Sequence, residues 1–204
     1  MGKVIFAGGK AGMNKPVALP SGYTALAYIQ GTGTQYIDTG FAPNNNTRVV
    51  MDAAFSDTPS GNVALFGARE TYDSNNYALM CANGSLRSDY NTAYDQTWSV
   101  DATTRRVIDK NKETTTIDGT SQSYTNAAFQ SPVNLVLFAN NDNGTVKFIS
   151  SAKIYSCQIY DNGTMVRDFV PCVSDAGAIG LFNLVNNQFY GNAGSGSFVG
   201  SEVA

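Results

Sequence analysis

The sequence predicts an all-β fold, a two-sheet antiparallel sandwich of the jelly-roll kind, and three observations carry that prediction. Apolar residues nowhere recur at helical spacing for more than about two turns before a Gly, Asn or Pro interrupts them. Short β-branched and aromatic runs instead follow one another at intervals of about 8 to 12 residues. Dipeptides that accept positive φ, above all Asn-Gly and Asp-Gly, stand between the runs.

Taken in order, residues 1–22 are punctuated by Gly and Pro and read as an arm or linker, and residues 23–204 read as one jelly-roll domain. Residues 23–29 and 35–38 are short strands separated by Gly31-Thr32-Gly33, which reads as a hairpin-like turn. Residues 47–55 alternate, with Val49, Met51, Ala53 and Phe55 on one face, as a half-buried strand does. The series continues through 63–69, 77–81, 85–89, 98–100, 105–109 and 113–117, with turns expected at Asn83-Gly84, Lys110-Asn111 and Asp118-Gly119. Residues 134–139 are apolar on both faces and belong at the centre of a covered sheet. After Asn141-Asp142-Asn143-Gly144 a long strand is expected over 146–160, then a turn at Asp161-Asn162-Gly163 and a return strand over 164–170. Residues 180–182 pair with 188–190 around Asn186-Asn187, and a last short strand is expected at Phe198-Val199.

Composition narrows the function. Hydrophobic residues make up 43% of the chain, enough for a core, and charged residues only 14%, so the surface is built from Ser, Thr, Asn, Gln and Gly. That suits outer-surface and particle proteins. The net charge is −3 with Lys and Arg scattered singly, so no basic stripe exists to neutralise phosphates, and no nucleic acid is expected as a partner. No run approaches the roughly 20 apolar residues of a membrane span. The apolar patch at the N-terminus is too short for a signal peptide, so either a leader has been removed or export is not by that route.

Catalysis is not expected. With no histidine the chain lacks the commonest general base, and its three Glu are isolated in sequence. Asp38, Asp89 and Asp168 would have to converge in space to form a glycosidase pair; the competing reading is turn and rim residues. Cys81, Cys157 and Cys172 match no metal spacing and read as small buried thiols, with a Cys157–Cys172 bridge as the alternative. No cofactor is expected, calcium excepted. Asp142 with Asn143, or Asp73 with Asn75, would supply its oxygen ligands, against the plainer reading of solvated turns. Asn45, Asn83, Asn143 and Asn162 head Asn-x-Ser/Thr sequences, three of which read first as Asn-Gly turns.

The best binding cluster lies between residues 72 and 98. Trp98, Tyr94, Tyr90 and Tyr72 offer rings to stack on sugars, and Asn76 and Asp95 offer hydrogen-bonding groups beside them. The competing reading places Trp98 and one or two of the tyrosines in the core.

Two stretches carry a resemblance. The first is Leu19-Pro20-Ser21-Gly22-Tyr23-Thr24 leading into Tyr28-Ile29-Gln30-Gly31-Thr32-Gly33-Thr34-Gln35-Tyr36-Ile37-Asp38-Thr39-Gly40. The second is Ala152-Lys153-Ile154-Tyr155-Ser156-Cys157-Gln158-Ile159-Tyr160-Asp161-Asn162-Gly163, with Val166-Arg167-Asp168-Phe169-Val170-Pro171-Cys172, Gly180-Leu181-Phe182-Asn183 and Asn187-Gln188-Phe189-Tyr190. Together they resemble the laminin-G-like, or concanavalin-like, jelly rolls of phage appendage proteins and gut-bacterial surface proteins. The resemblance implies a concanavalin-like sandwich and a non-enzymatic virion protein of the head or tail, with attachment to host-surface polysaccharide. It also implies a homo-oligomer, a trimer or higher, at a virion or cell surface; residues 1–22 have no counterpart in the resemblance and are expected to dock the domain onto other virion proteins. The alternative is a lectin or adhesin domain of a bacterial surface protein, and a polysaccharide-active enzyme comes third.

Overall fold

In a computed structural model, residues 18–203 are described, and among them there is no helix. The N-terminal arm expected over 1–22 lies for the most part outside the described residues. The chain forms two sheets whose inner faces share one apolar core, the predicted sandwich.

The larger sheet collects β1 (Tyr23–Gln30), β3 (Thr47–Phe55), β8 (Arg106–Asn111), β9 (Thr114–Ile117), β10 (Thr120–Ser123), β14 (Ala152–Asp161), β15 (Thr164–Ser174), β16 (Ile179–Asn183), β17 (Gln188–Tyr190) and β18 (Val199–Glu202). Its order is β10-β9-β8-β3-β14-β1-β15-β16-β17, with β18 on β1 and β14 also paired to β15. The smaller sheet runs β13 (Thr145–Lys147), β12 (Asn140–Asp142), β4 (Val63–Arg69), β5 (Asn76–Ala82), β6 (Ser85–Asn91), β7 (Ala93–Trp98), and β11 (Val136–Leu137) joins β4 to β2 (Ile37–Asp38). Pairing is antiparallel except between β12 and β4.

Alternation decides what is buried. Val49, Met51, Ala53 and Phe55 of β3 enter the core as the pattern predicts, opposite Phe66, Tyr77, Leu79 and Leu86 of the smaller sheet. The hairpins close where Asn-Gly or Asp-Gly predicts: Asn83-Gly84, Asp118-Gly119, Asn143-Gly144 and Asn162-Gly163 all have both residues at positive φ, as a type I′ turn requires.

Five expectations are corrected. The hairpin expected around Gly31-Thr32-Gly33 does not form, because β1 pairs with β14, β15 and β18 in the larger sheet and β2 with β11 in the smaller. The turn expected at Lys110-Asn111 falls at Lys112-Glu113, where Lys112 takes φ 55°, and Lys110 sits inside β8, fully buried. The strand expected over 146–160 is two, β13 and β14. The chain leaves the smaller sheet after Lys147 and joins the larger at Ala152, with Phe148 at φ 57° in the crossing. Of residues 134–139, Leu135 to Ala139 are buried as expected and Asn134 only partly, and the stretch keeps only Val136–Leu137 in ladder form, because Phe138 at φ 68° turns the backbone. Trp98 ends β7, which starts at Ala93, rather than opening a strand.

The three cysteines are free and buried, which overturns the alternative of a Cys157–Cys172 bridge. Cys157 points into the core, whereas Cys172 lies between Phe169 and Val173, which face it, so alternation turns Cys172 to the other side of the sheet.

Candidate functional site

The outer face of the smaller sheet carries the polar chemistry of interest. On β5, Tyr77, Leu79 and Cys81 face the core, so Asn76, Ala78 and Met80 face outward. Register places Gly67, Ala78 and Asp89 side by side across β4, β5 and β6. Gly67 lets the Asn140 side chain lie over the sheet: a Cβ there would stand 2.7 Å from Asn140 Cγ and 3.0 Å from the Ala78 Cβ.

This row buries polar groups. Asp89 receives Arg87 through Nε at 2.9 Å and Nη2 at 3.2 Å, and Asn76 Nδ2 donates to it at 3.4 Å. Burial pushes the Asp89 carboxyl up, and Arg87 pulls against it. Asn76 Oδ1 and both amide atoms of Asn140 are buried without a hydrogen-bond partner. Such groups are expensive to leave unpaired, so this row is the least satisfied part of the sheet surface.

At the end of β4 the row opens to solvent. Arg69 grips Asp142 with Nε at 3.0 Å and Nη2 at 3.1 Å, Lys147 Nζ adds a third contact at 2.6 Å, and the Asp142 carboxyl is held down at about 2, first by the Arg69 hydrogen bonds. The Arg69 guanidinium also lies 5.6 Å from the Tyr72 ring and 5.4 Å from the Phe148 ring.

Tyr72 stands at the tip of the β4–β5 turn, which is braced at several points. Thr71 N–H donates to the Ser74 carbonyl at 3.3 Å, Asp73 N–H to Thr71 Oγ1 at 3.2 Å, and Asn75 Nδ2 to Glu70 Oε2 at 2.7 Å. Asn75 itself takes φ 49°. The turn sets Tyr72 against Tyr94 of β7, ring centroids 4.5 Å apart and planes at 48°. Tyr72 is 46% exposed and Tyr94 37%. The field of Tyr72, then of Asp73, with a smaller part from Asp95, raises the Tyr94 phenol. Two tyrosine rings and two carboxylates thus share one small exposed patch.

The six residues expected to bind glycan are divided by the structure. Tyr72, Tyr94 and Asp95 are exposed and belong to this patch. Trp98 and Tyr90 do not. Trp98 is buried and donates Nε1–H to the Thr120 carbonyl at 3.2 Å, and Tyr90 is buried with its hydroxyl donating to Asn126 Oδ1 and the Ala127 carbonyl while its ring meets Tyr124 and Phe129. Both face inward because, in the pairing of β6 and β7, they fall on the core side with Leu86 and Gln96. Asn76 faces outward but is covered and committed to Asp89.

Asp142, named as a calcium ligand, has its oxygens taken by Arg69 and Lys147. Asp73 and Asn75 lie in the Tyr72 turn, where the Asn75 amide is bound to Glu70. Asp38, Asp89 and Asp168 stay apart: Asp38 on β2 is four strands from Asp89 on β6, and Asp168 belongs to the larger sheet. Sequence reasoning missed Arg69, Asn140 and Glu70. Gly67 in mid-strand was the available signal for Asn140, since such a glycine marks a close approach.

Compared with known proteins, the chain matches no protein-family model and no curated protein. No helix among the described residues is long and apolar enough to cross a membrane.

Proposed function

We propose that this chain is a non-enzymatic attachment module that holds a host-surface glycan on the outer face of its smaller sheet and serves as a head or tail appendage of a phage particle. The exposed Tyr72–Tyr94 pair carries the glycan reading. Tyrosine rings offer apolar faces to sugar C–H groups with hydroxyls at their rims, and a turn held by side-chain hydrogen bonds presents them without a large ordering cost on binding. Asp95 and Asp73 beside the rings supply acceptors for sugar hydroxyls. The separation of Asp38, Asp89 and Asp168 leaves those three without the pairing within about 5 to 9.5 Å that glycoside hydrolysis needs.

The particle setting rests on the resemblance of residues 19–40 and 152–190 and on the weakly charged, polar composition. Residues 1–22 are the segment assigned to docking, and a trimer or higher oligomer is the expected assembly. The alternative setting is a bacterial surface adhesin, which keeps the same glycan site.

A glycan array with the full chain tests the reading. Wild type binds a defined set of glycans, and Tyr72→Ala combined with Tyr94→Ala loses them while keeping its melting temperature, because both rings are exposed. Array signals that survive the double substitution would place the site elsewhere. Co-sedimentation with the particle, lost on deleting residues 1–22, tests the setting; a monomer that ignores the particle would favour the adhesin.

A further inference from the structure

The charge around the tyrosine pair narrows the ligand beyond glycans in general, an inference that rests on the attachment reading. Glu70, Asp73 and Asp95 flank the rings, and among the described residues none of the three is in an ion pair. The nearby cations, Arg69 and Lys147, both converge on Asp142, and the Arg69 guanidinium also lies 5.6 Å from the Tyr72 ring. The patch therefore holds four carboxylates against two cations, and among the described residues Tyr94 is the ring of the pair with no cation of the chain over it, while Asp73 and Asp95 act on its phenol. Tyrosine faces attract a cation within about 6 Å of the ring centroid, and nearby carboxylates add to that attraction.

We infer that the Tyr72–Tyr94 patch selects glycans bearing a free ammonium group, an amino sugar in its unacetylated form, with the cation held against the Tyr94 ring and flanked by Asp73 and Asp95. A neutral acetamido sugar stacks on the same rings but gains nothing from the carboxylates. A uronic acid polymer is repelled. The preference weakens with salt, since Glu70, Asp73 and Asp95 are exposed and screened over about 10 Å at 0.1 M.

The test is calorimetric titration of the full chain with three probes: a glucosamine hexamer, its fully N-acetylated counterpart and a polygalacturonate. These are compared at low and high salt and at a pH where the amines are charged. The glucosamine hexamer is expected to bind at least about tenfold tighter than the acetylated one at low salt, on the scale of one cation–π contact with ionic support. Asp73→Asn with Asp95→Asn removes that preference and leaves the fold, checked by circular dichroism and melting temperature. Equal affinity for the two hexamers, or a preference that survives the carboxamide variant, overturns the inference while the attachment reading stands. So does a neutral glycan, found on the array and dependent on Tyr72, when neither hexamer binds. Binding to no glycan at all overturns both. If instead the carboxamide variant alters only self-association in light scattering, the patch is a contact between copies of the chain, and the inference falls.

Discussion

Lys110 Nζ donates a 2.7 Å hydrogen bond to Ser88 Oγ, joining β8 of the larger sheet to β6 of the smaller through the middle of the sandwich. Both residues are fully buried, Ser88 Oγ also meets Thr115 Oγ1 at 2.8 Å, and the ammonium group lies 4.5 Å from the Tyr77 ring and 5.7 Å from the Tyr90 ring. Desolvation pulls the Lys110 pKa down to about 7, with Asp89 opposing it. Between that value and the ordinary 10.5, the unfolded chain binds a proton that the native chain lacks, so stability rises with pH. The slope from this group is at most about 1.4 kcal/mol per pH unit, and it flattens below 7 where both states are charged. Denaturant titrations between about pH 7 and 8.5 should show this rise as the difference between wild type and Lys110→Met, because the three unfolded thiols, ionising at about 8.5 while the native ones stay protonated, oppose it equally in both proteins. Lys110→Met should abolish it and leave the protein equally or more stable near neutrality, since it replaces a buried cation with an apolar side chain of similar length. An unchanged slope in that variant would remove Lys110 as its cause.

The cysteines make a second test. Burial raises all three thiols, Cys172 to about 12. A thiol reagent at pH 8 should therefore label none of them in the native protein and all three in denaturant, and a reductant should leave the melting temperature unchanged. Rapid native labelling of Cys157 would contradict the packing of β14.

Gly67→Ala addresses the polar row directly. A methyl group there meets Asn140 Cγ at 2.7 Å, so Asn140 must move or β4 must shift, at a cost of about 1 to 3 kcal/mol. Gly119→Ala meets nothing within 4 Å but sits at φ 78°, so its cost is backbone strain alone, about 1 kcal/mol. The two melting temperatures, compared with wild type, separate packing from strain.

Trp98 is the sole tryptophan and it is in the core. Its fluorescence should shift to the red on unfolding and stay unchanged on glycan binding at Tyr72 and Tyr94. Trp98→Ala should cost about 3 to 5 kcal/mol, with the loss falling on stability rather than on affinity per folded molecule. A binding-induced change in Trp98 emission would return that residue to the site.

What could be read from the chain depended on the range of the interaction. Turn chemistry is local, and Asn83-Gly84, Asp118-Gly119, Asn143-Gly144 and Asn162-Gly163 declared their hairpins because few other residues accept two successive positive φ angles. Lys110-Asn111 misled for the same reason: a lysine beside an asparagine looks like a turn unless one knows that Ser88 waits across the sandwich. The aromatic cluster shows the limit most clearly. Tyr72, Tyr90, Tyr94 and Trp98 are equivalent as letters, and the strand-pairing bulge between β6 and β7 helps decide which rings are inside.

By itself, then, the sequence determined the secondary structure class, the positions of the Asn-Gly and Asp-Gly turns, the core face of β3 and the lack of a basic stripe or of an apolar run of roughly 20 residues, all of which follow from neighbours along the chain. Tertiary structure alone decided that Lys110 is buried, that Arg69 and Lys147 close on Asp142, that Cys157 and Cys172 face opposite sides of one sheet, and that Tyr72 meets Tyr94. The physical reason is that these are contacts between strands distant in sequence, fixed by register across the sheets, and a shift of one residue reverses the face of every side chain involved.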